Sequence, residues 1–269
     1  MNLLLRVVSG AILLGILAGV LWAGTPYVAA VVAVAALVAA WELSGLLRRM
    51  GVQPAAWLAY PLTLWLALRF AFPAAYRAAD WPLVAAVTVG LVAAGLMRRS
   101  LRAWAASVVC ALYSGFTLGF YVALYRWHEV DTTHLGVRLA VLTLAAVFAG
   151  DTVAYAAGTL VGRHGFFRRI SPRKTVEGAV TGAAASILVG ALAGPALISM
   201  SAAAGAGLGA LVALFAQGGD LAESALKREA GVKDSSHLIP GHGGLLDRID
   251  SLVLVGPVVY CYLRLIAFT

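Results

Sequence analysis

Long apolar blocks follow one another along this chain, separated by short clusters of charged and turn-forming residues. A helix needs about 17–25 apolar residues to cross the hydrocarbon core of a bilayer. The pattern predicts such helices near 3–23, 27–47, 54–72, 81–97, 102–125, 137–161, 178–194, 196–216 and 251–268. The first block is longer than the apolar core of a signal peptide and eight similar blocks follow it, so it reads as an uncleaved first transmembrane helix. The seventh and eighth blocks are rich in glycine and alanine, with Gly182, Gly190, Gly205, Gly207 and Gly209. Small residues let membrane helices approach closely, so both are expected to pack inside the bundle.

Composition turns this pattern into a fold class. Of the 269 residues 62% are hydrophobic and 12% charged, and the mean hydropathy is +0.90. A soluble domain carries about 25% charged residues, so lipid is the expected solvent. The expected fold is all-α, a polytopic membrane helix bundle of about nine transmembrane helices, with no internal repeat and no separate soluble domain over 1–269. Cys110 and Cys261 lie in apolar blocks without Cys or His neighbours at ligand spacing, which argues against a disulfide framework or a zinc site.

The net charge of +8 is distributed by side rather than gathered for nucleic acid. Arg6, Arg48, Arg49, Arg98, Arg99, Arg102, Arg163, Arg168, Arg169, Arg173, Lys174, Lys227, Arg228, Lys233 and Arg248 belong to the N-terminus or to loops after even-numbered helices. Arg69, Arg77, Arg126, Arg138 and Arg264 belong to the other side. Fifteen against five predicts a cytoplasmic N-terminus and an external C-terminus. The two most polar segments, 163–178 and 218–250, then face the cytoplasm.

These two segments hold the candidate chemistry. Asp220, Ser224, Lys227 and Arg228 recur at i, i+4, i+7 and i+8, on one helical face. One carboxylate, one hydroxyl and two cations suit a magnesium-bound polyphosphate. The turn Pro240-Gly241-His242-Gly243-Gly244 offers backbone N–H groups to an anion, and Asp247, Arg248 and Asp250 then enter the last apolar block. Asp220 and Asp247 are the candidates to flank one metal from two helices. Ser171, Arg173, Lys174 and Thr175 form a basic loop able to hold a nucleotide or lipid phosphate. Asp151 is an acid within a predicted span, where such residues usually face the bundle interior. Glu42, less than two turns from Arg48 and Arg49, is expected to reach to the interface and stands outside the candidate site.

The spacing carries a resemblance. Ser224-Ala225-Leu226-Lys227-Arg228, four residues, Lys233-Asp234, then Ile239 through Asp250 resembles the signature of the phosphatidate cytidylyltransferases (CDP-diacylglycerol synthases), with Ser236 where that family takes a small residue. Ser171-Pro172-Arg173-Lys174-Thr175-Val176-Glu177-Gly178 is similar to a second family motif, with Arg173 in place of the usual lysine. Asp151, Tyr155, Gly158 and Gly162 match a third arrangement. The likeness is sharp over about 145–250 and only compositional over roughly the first hundred residues. It implies variable N-terminal helices over 1–130 and catalytic helices over 137–269.

The resemblance further implies that the phosphate of phosphatidic acid attacks the α-phosphorus of CTP and expels pyrophosphate. Asp220 and Asp247 would hold Mg2+, with room for a second ion in a two-ion clamp. Lys227, Arg228, Lys233 and His242 would contact phosphates. Ser171, Arg173, Lys174, Thr175, Ser224, Gly243, Gly244, Arg248 and Asp151 would complete the substrate site, and Asp234, Arg248 and Asp250 would orient it. The expected setting is a bacterial cytoplasmic (inner) membrane, with the protein a homodimer on general grounds. The alternatives are a polytopic transporter, a CTP-dependent transferase or kinase acting on another lipid, and a non-catalytic scaffold.

Overall fold

In hydrocarbon every backbone N–H and C=O must be satisfied within its own segment, which leaves apolar blocks the choice of helix. The computed structural model describes residues 15–16, 18–72, 80–96, 101–127, 134–239, 241 and 243–267. Among these residues there are no strands, only isolated bridges in loops. Helix α1 spans Thr25–Arg49, α2 Ala56–Leu68, α3 Asp80–Leu96 and α4 Leu101–Tyr125, the last with a π-helical stretch at Ala111–Phe116. Then come α5 at Leu135–Val161, α6 at Val176–Ile198 and α7 at Ala202–Glu229. Two short helices close the order, α8 at Leu246–Val253 and α9 at Val255–Tyr262, the latter running into a π turn at Leu263–Ala267.

Five of these helices, α1, α4, α5, α6 and α7, are long and apolar enough to cross a membrane, so the chain is an all-helical integral membrane protein. The block expected over 3–23 lies largely outside the described residues. The block over 54–72 forms only the thirteen-residue α2, with Pro61 inside it. The last block is divided at Leu254 into α8 and α9, and its first helix begins in the polar loop, at Leu246.

The chain divides into two compact units, one of Met1–Arg126 with Glu229–Ile249 and the other of Trp127–Arg228 with Asp250–Thr269. In the first, α1 buries a face of Ala36, Ala39, Ala40, Leu43 and Leu46. Helix α4 lies so close to α2 that a Cβ on Gly115 would stand 2.3 Å from the carbonyl oxygen of Thr63.

In the second unit α5 and α6 form an extended pair. A Cβ on Gly182 would stand 2.7 Å from the Gly150 carbonyl oxygen, and the Ser186 hydroxyl donates to Ala146 O at 2.9 Å. Helix α7 meets α6 through Gly190 and Gly205, where a Cβ on either would come within 2.1 Å of the other's carbonyl oxygen. The expectation that these two helices lie inside the bundle holds for their glycine stripes alone. Val180, Leu188, Leu192 and Leu214 on other faces are each more than half exposed, as helices with one packed face and one lipid-facing side require.

Candidate active site

In the second unit the polar residues gather where α5 ends, α6 begins and α7 leaves its apolar stretch. The segment between α5 and α6 folds as a closed loop. Gly165 and Thr175 form an antiparallel bridge, Phe166 N–H donates to Lys174 O at 2.8 Å, and Val176 N–H to His164 O at 2.8 Å. Glu177 staples its base by accepting from the His164 backbone N–H at 3.2 Å and meeting His164 Nδ1 at 2.6 Å. Thr175 caps α6, its hydroxyl accepting from Gly178 N–H at 3.1 Å. Gly178 lets α6 approach α5, since a Cβ there would stand 2.6 Å from Ala154 O. Thr175, Glu177 and Gly178 therefore build the frame that holds out exposed Arg173 and half-buried Lys174. Ser171 stands inside this loop, its N–H bonded to Phe167 O and its carbonyl to Lys174 N–H.

Lys174 Nζ meets Asp220 Oδ2 at 2.6 Å. The predicted face of α7 is real: the Ser224 hydroxyl donates to Asp220 Oδ1 at 3.2 Å, and Arg228 Nε reaches the Ile170 carbonyl at 3.2 Å. Lys227 is turned differently from the expectation of a phosphate contact. Its Nζ lies 2.5 Å from Glu223 Oε2, with the two side chains 10% and 0% exposed. Glu223 was not singled out in the sequence, although an acid four residues before a lysine is an ordinary helical pairing signal.

Asp250 is half-buried in the same unit. Burial and then the carboxylate of Asp220 push it above the ordinary carboxylate range, with Asp151 adding to the effect and Lys227 opposing it. Asp151 is accessible, yet it faces the polar cluster, with Ser251, Asp220 and Lys174 as its neighbours, and Tyr155 of the same helix is exposed. Gly158 and Gly162 of the same stripe pack against the Thr175 side chain. Among the described residues no group of three or more His, Cys, Asp or Glu side chains stands at metal-ligand spacing.

The first unit contains the other half of the motif. Asp247, 9% exposed in the first turn of α8, accepts through Oδ2 from Ser235 N–H at 2.9 Å, the Ser235 hydroxyl at 2.9 Å and Gly244 N–H at 2.8 Å. Gly243 has φ 82°, and a Cβ there would stand 2.8 Å from Asp247 Oδ2. At Gly244 a Cβ would stand 2.0 Å from Ser235 Oγ. The anion reached by Gly244 N–H is thus the chain's own Asp247. Lys233, Asp234 and Arg248 are exposed, and His242 lies outside the described residues.

The sequence reading missed Glu42. It does not reach out to the interface but is 2% exposed and accepts from the Ser235 hydroxyl at 3.2 Å, the Ser236 hydroxyl at 2.5 Å, Leu245 N–H at 2.9 Å and Leu246 N–H at 2.6 Å. A carboxylate well inside the apolar, alanine-rich helix Thr25–Arg49 was the available signal, since such a group is costly unless it is bonded.

Fold and site together define a class: an all-helical integral membrane protein that sets carboxylates, cations and a glycine turn at helix ends, the equipment for handling phosphates. Residues 4–266 match the model of the cytidylyltransferase family, and the chain belongs to that family. It is 31% identical to a phosphatidate cytidylyltransferase of Synechocystis sp., over 97% of this chain and 96% of that protein. It is 36% identical to one of Brucella abortus, over 66% of each chain. A third, of Staphylococcus epidermidis, is 38% identical over 52% of this chain and 54% of its own.

Proposed function

We propose that the protein transfers the cytidylyl group of CTP to the phosphate of phosphatidic acid, giving CDP-diacylglycerol and pyrophosphate. The observation that carries the choice of substrates is the near full-length likeness to the Synechocystis enzyme, 97% of one chain against 96% of the other. In this reaction a phosphate oxygen of the lipid bonds to the α-phosphorus of CTP, and the bond from that phosphorus to the β-phosphate bridging oxygen breaks. The nucleophile is already an anion, so the demand on the protein is neutralisation of charge and in-line positioning rather than a strong base.

The residues fit Mg2+ by the chemistry of their donors. Asp220 and Asp247 offer hard carboxylate oxygens, and magnesium takes one or two of these and fills its shell with water and phosphate oxygens. When bound, the ion supplies charge stabilisation for the phosphates. Lys174 now neutralises Asp220 and is placed to transfer its charge to a polyphosphate. Arg173 and Arg228 add cations at the same helix ends. Lys233 and Arg248, exposed beside the glycine turn, and His242 are proposed to meet the remaining phosphate charge. Gly243 stays a proposed point of close substrate approach. Glu223 holds Lys227, whose contribution is then to the local field rather than to a direct contact.

The cytoplasmic face of a bacterial inner membrane is the proposed setting. It follows from the distribution of basic residues and from the need to meet CTP in the cytosol and lipid in the leaflet. Assembly as a homodimer is proposed with it. The test is pyrophosphate release by the detergent-purified protein given CTP, phosphatidic acid and magnesium. Release is expected only with both substrates, and Asp220→Asn is expected to lower it by at least about 100-fold, the scale of a lost transition-state charge contact. Release without lipid, or undiminished in the variant, would contradict the reading.

A further inference from the structure

One buried, multiply bonded carboxylate of the first unit belongs to no recognised motif. Glu42 sits in α1, outside the motifs of 145–250 though within the residues 4–266 that match the family model. Yet its two oxygens take three donors outright and share a fourth, the Ser235 hydroxyl, with Asp247, all from one short segment, the farthest of them 204 residues away in sequence. Taking a carboxylate out of water costs several kcal/mol, and the cost is met only where hydrogen bonds replace the lost solvation. Its neighbours on the same face, Ala39 and Leu46, are fully buried hydrophobes, so α1 itself has no use for a charge there.

We propose that Glu42 is a positioning residue for the transfer reaction, holding Ser235, Ser236, Leu245 and Leu246 and thereby the placement of Gly243, Gly244 and Asp247. The proposal rests on the transferase reading above. Three features support it. The Ser235 hydroxyl lies 3.2 Å from Glu42 Oε2 and 2.9 Å from Asp247 Oδ2, and its single proton is shared between the two carboxylates. A Cβ on Gly244 would stand 2.5 Å from Glu42 Oε1, so the contact itself demands glycine at that position. Leu245 and Leu246 N–H groups at the start of α8 have no partner in the preceding turn of a helix, and Glu42 supplies one to each.

The geometry makes Glu42→Gln informative. Oε1 accepts from Leu245 N–H and Oε2 from Leu246 N–H. Backbone donors cannot reverse, so either orientation of a glutamine amide sets its NH2 against one of them. Shape and volume are kept while the acceptor pair is lost.

The experiment compares the full-length wild type with Glu42→Gln by hydrogen–deuterium exchange and by steady-state kinetics. Exchange in peptides covering 235–246 is expected to rise by about tenfold, the equivalent of about 1.4 kcal/mol of local bonding, while α1 and α2 keep their protection. The KM for CTP is expected to rise and kcat to fall, each by about 10-fold, as when an orienting partner of a ligand residue is removed. Unchanged exchange at 235–246 would overturn the proposal. So would a uniform loss of protection across α1 and α2 with KM unchanged, the mark of a plain packing role. If Glu42→Gln does not fold, Ser236→Ala removes the 2.5 Å donor from the loop side. It is expected to raise KM in the same direction, by about threefold, and no change would count against the proposal. A wild type that forms no CDP-lipid would overturn the transferase reading, while the exchange data still decide whether Glu42 fixes the loop.

Discussion

At the scale of the residue, charges here are held by other charges and by backbone donors before any substrate arrives. The buried pair of Glu223 and Lys227 shows the cost most clearly. Removing one member of a buried ion pair leaves the other without compensation and typically costs about 3–5 kcal/mol. Glu223→Gln is therefore expected to lower the melting temperature in detergent markedly, while the double variant with Lys227→Met recovers part of the loss. A Glu223→Gln protein as stable as wild type would show that Lys227 draws its support elsewhere. Asp220, Ser224 and Arg228 were legible in the sequence, because i, i+4 and i+8 spacing on a helix is local geometry. Glu42 was not, because its partners lie about two hundred residues on and no periodicity reports a contact of that range.

At the scale of the element, helix contacts rest on glycines placed where two backbones meet. A Cβ at Gly190 would stand 2.1 Å from the Gly205 carbonyl oxygen, while one at Gly218, on the same α7 as Gly205, would meet nothing within 4 Å. Gly190→Ala is expected to destabilise the protein by about 1–3 kcal/mol through forced backbone shifts, and Gly218→Ala to be neutral or stabilising, since alanine is the better helix former. Thermal unfolding of the two variants in one detergent checks the contrast, and equal midpoints would contradict it. The apolar pattern revealed that these helices exist and that glycine would be their contact. It ended the apolar block at 216 because hydropathy marks only the part of a helix in lipid, while the shared face of Asp220, Ser224, Lys227 and Arg228 already implied that the helix continues, and it runs to Glu229. For the same reason the start of α8 was hidden in the polar loop. The Ser-Pro…Thr…Glu-Gly frame could be seen but not explained until Thr175 was found capping α6 and Glu177 stapling the loop.

At the scale of the whole molecule, the distribution of basic residues carries the proposal that the charged loops face the cytoplasm. On a background with Cys110 and Cys261 replaced by alanine, single cysteines at Gln53, Arg169 and Glu229 are all exposed positions. Each is expected to react with a membrane-impermeant maleimide only from the cytoplasmic side. Reaction from the outside at any of them would reverse the assignment made from the basic residues. The central claim is that this membrane protein moves the α-phosphorus of CTP, with its cytidine, onto a lipid phosphate. The most direct measurement gives the purified protein phosphatidic acid, magnesium and CTP labelled in either the α- or the γ-phosphate, and follows the label into lipid. The account predicts α-label in the lipid and γ-label in released pyrophosphate. γ-Label in the lipid would make the protein a CTP-dependent kinase, and no label in lipid from either substrate would remove the transferase claim.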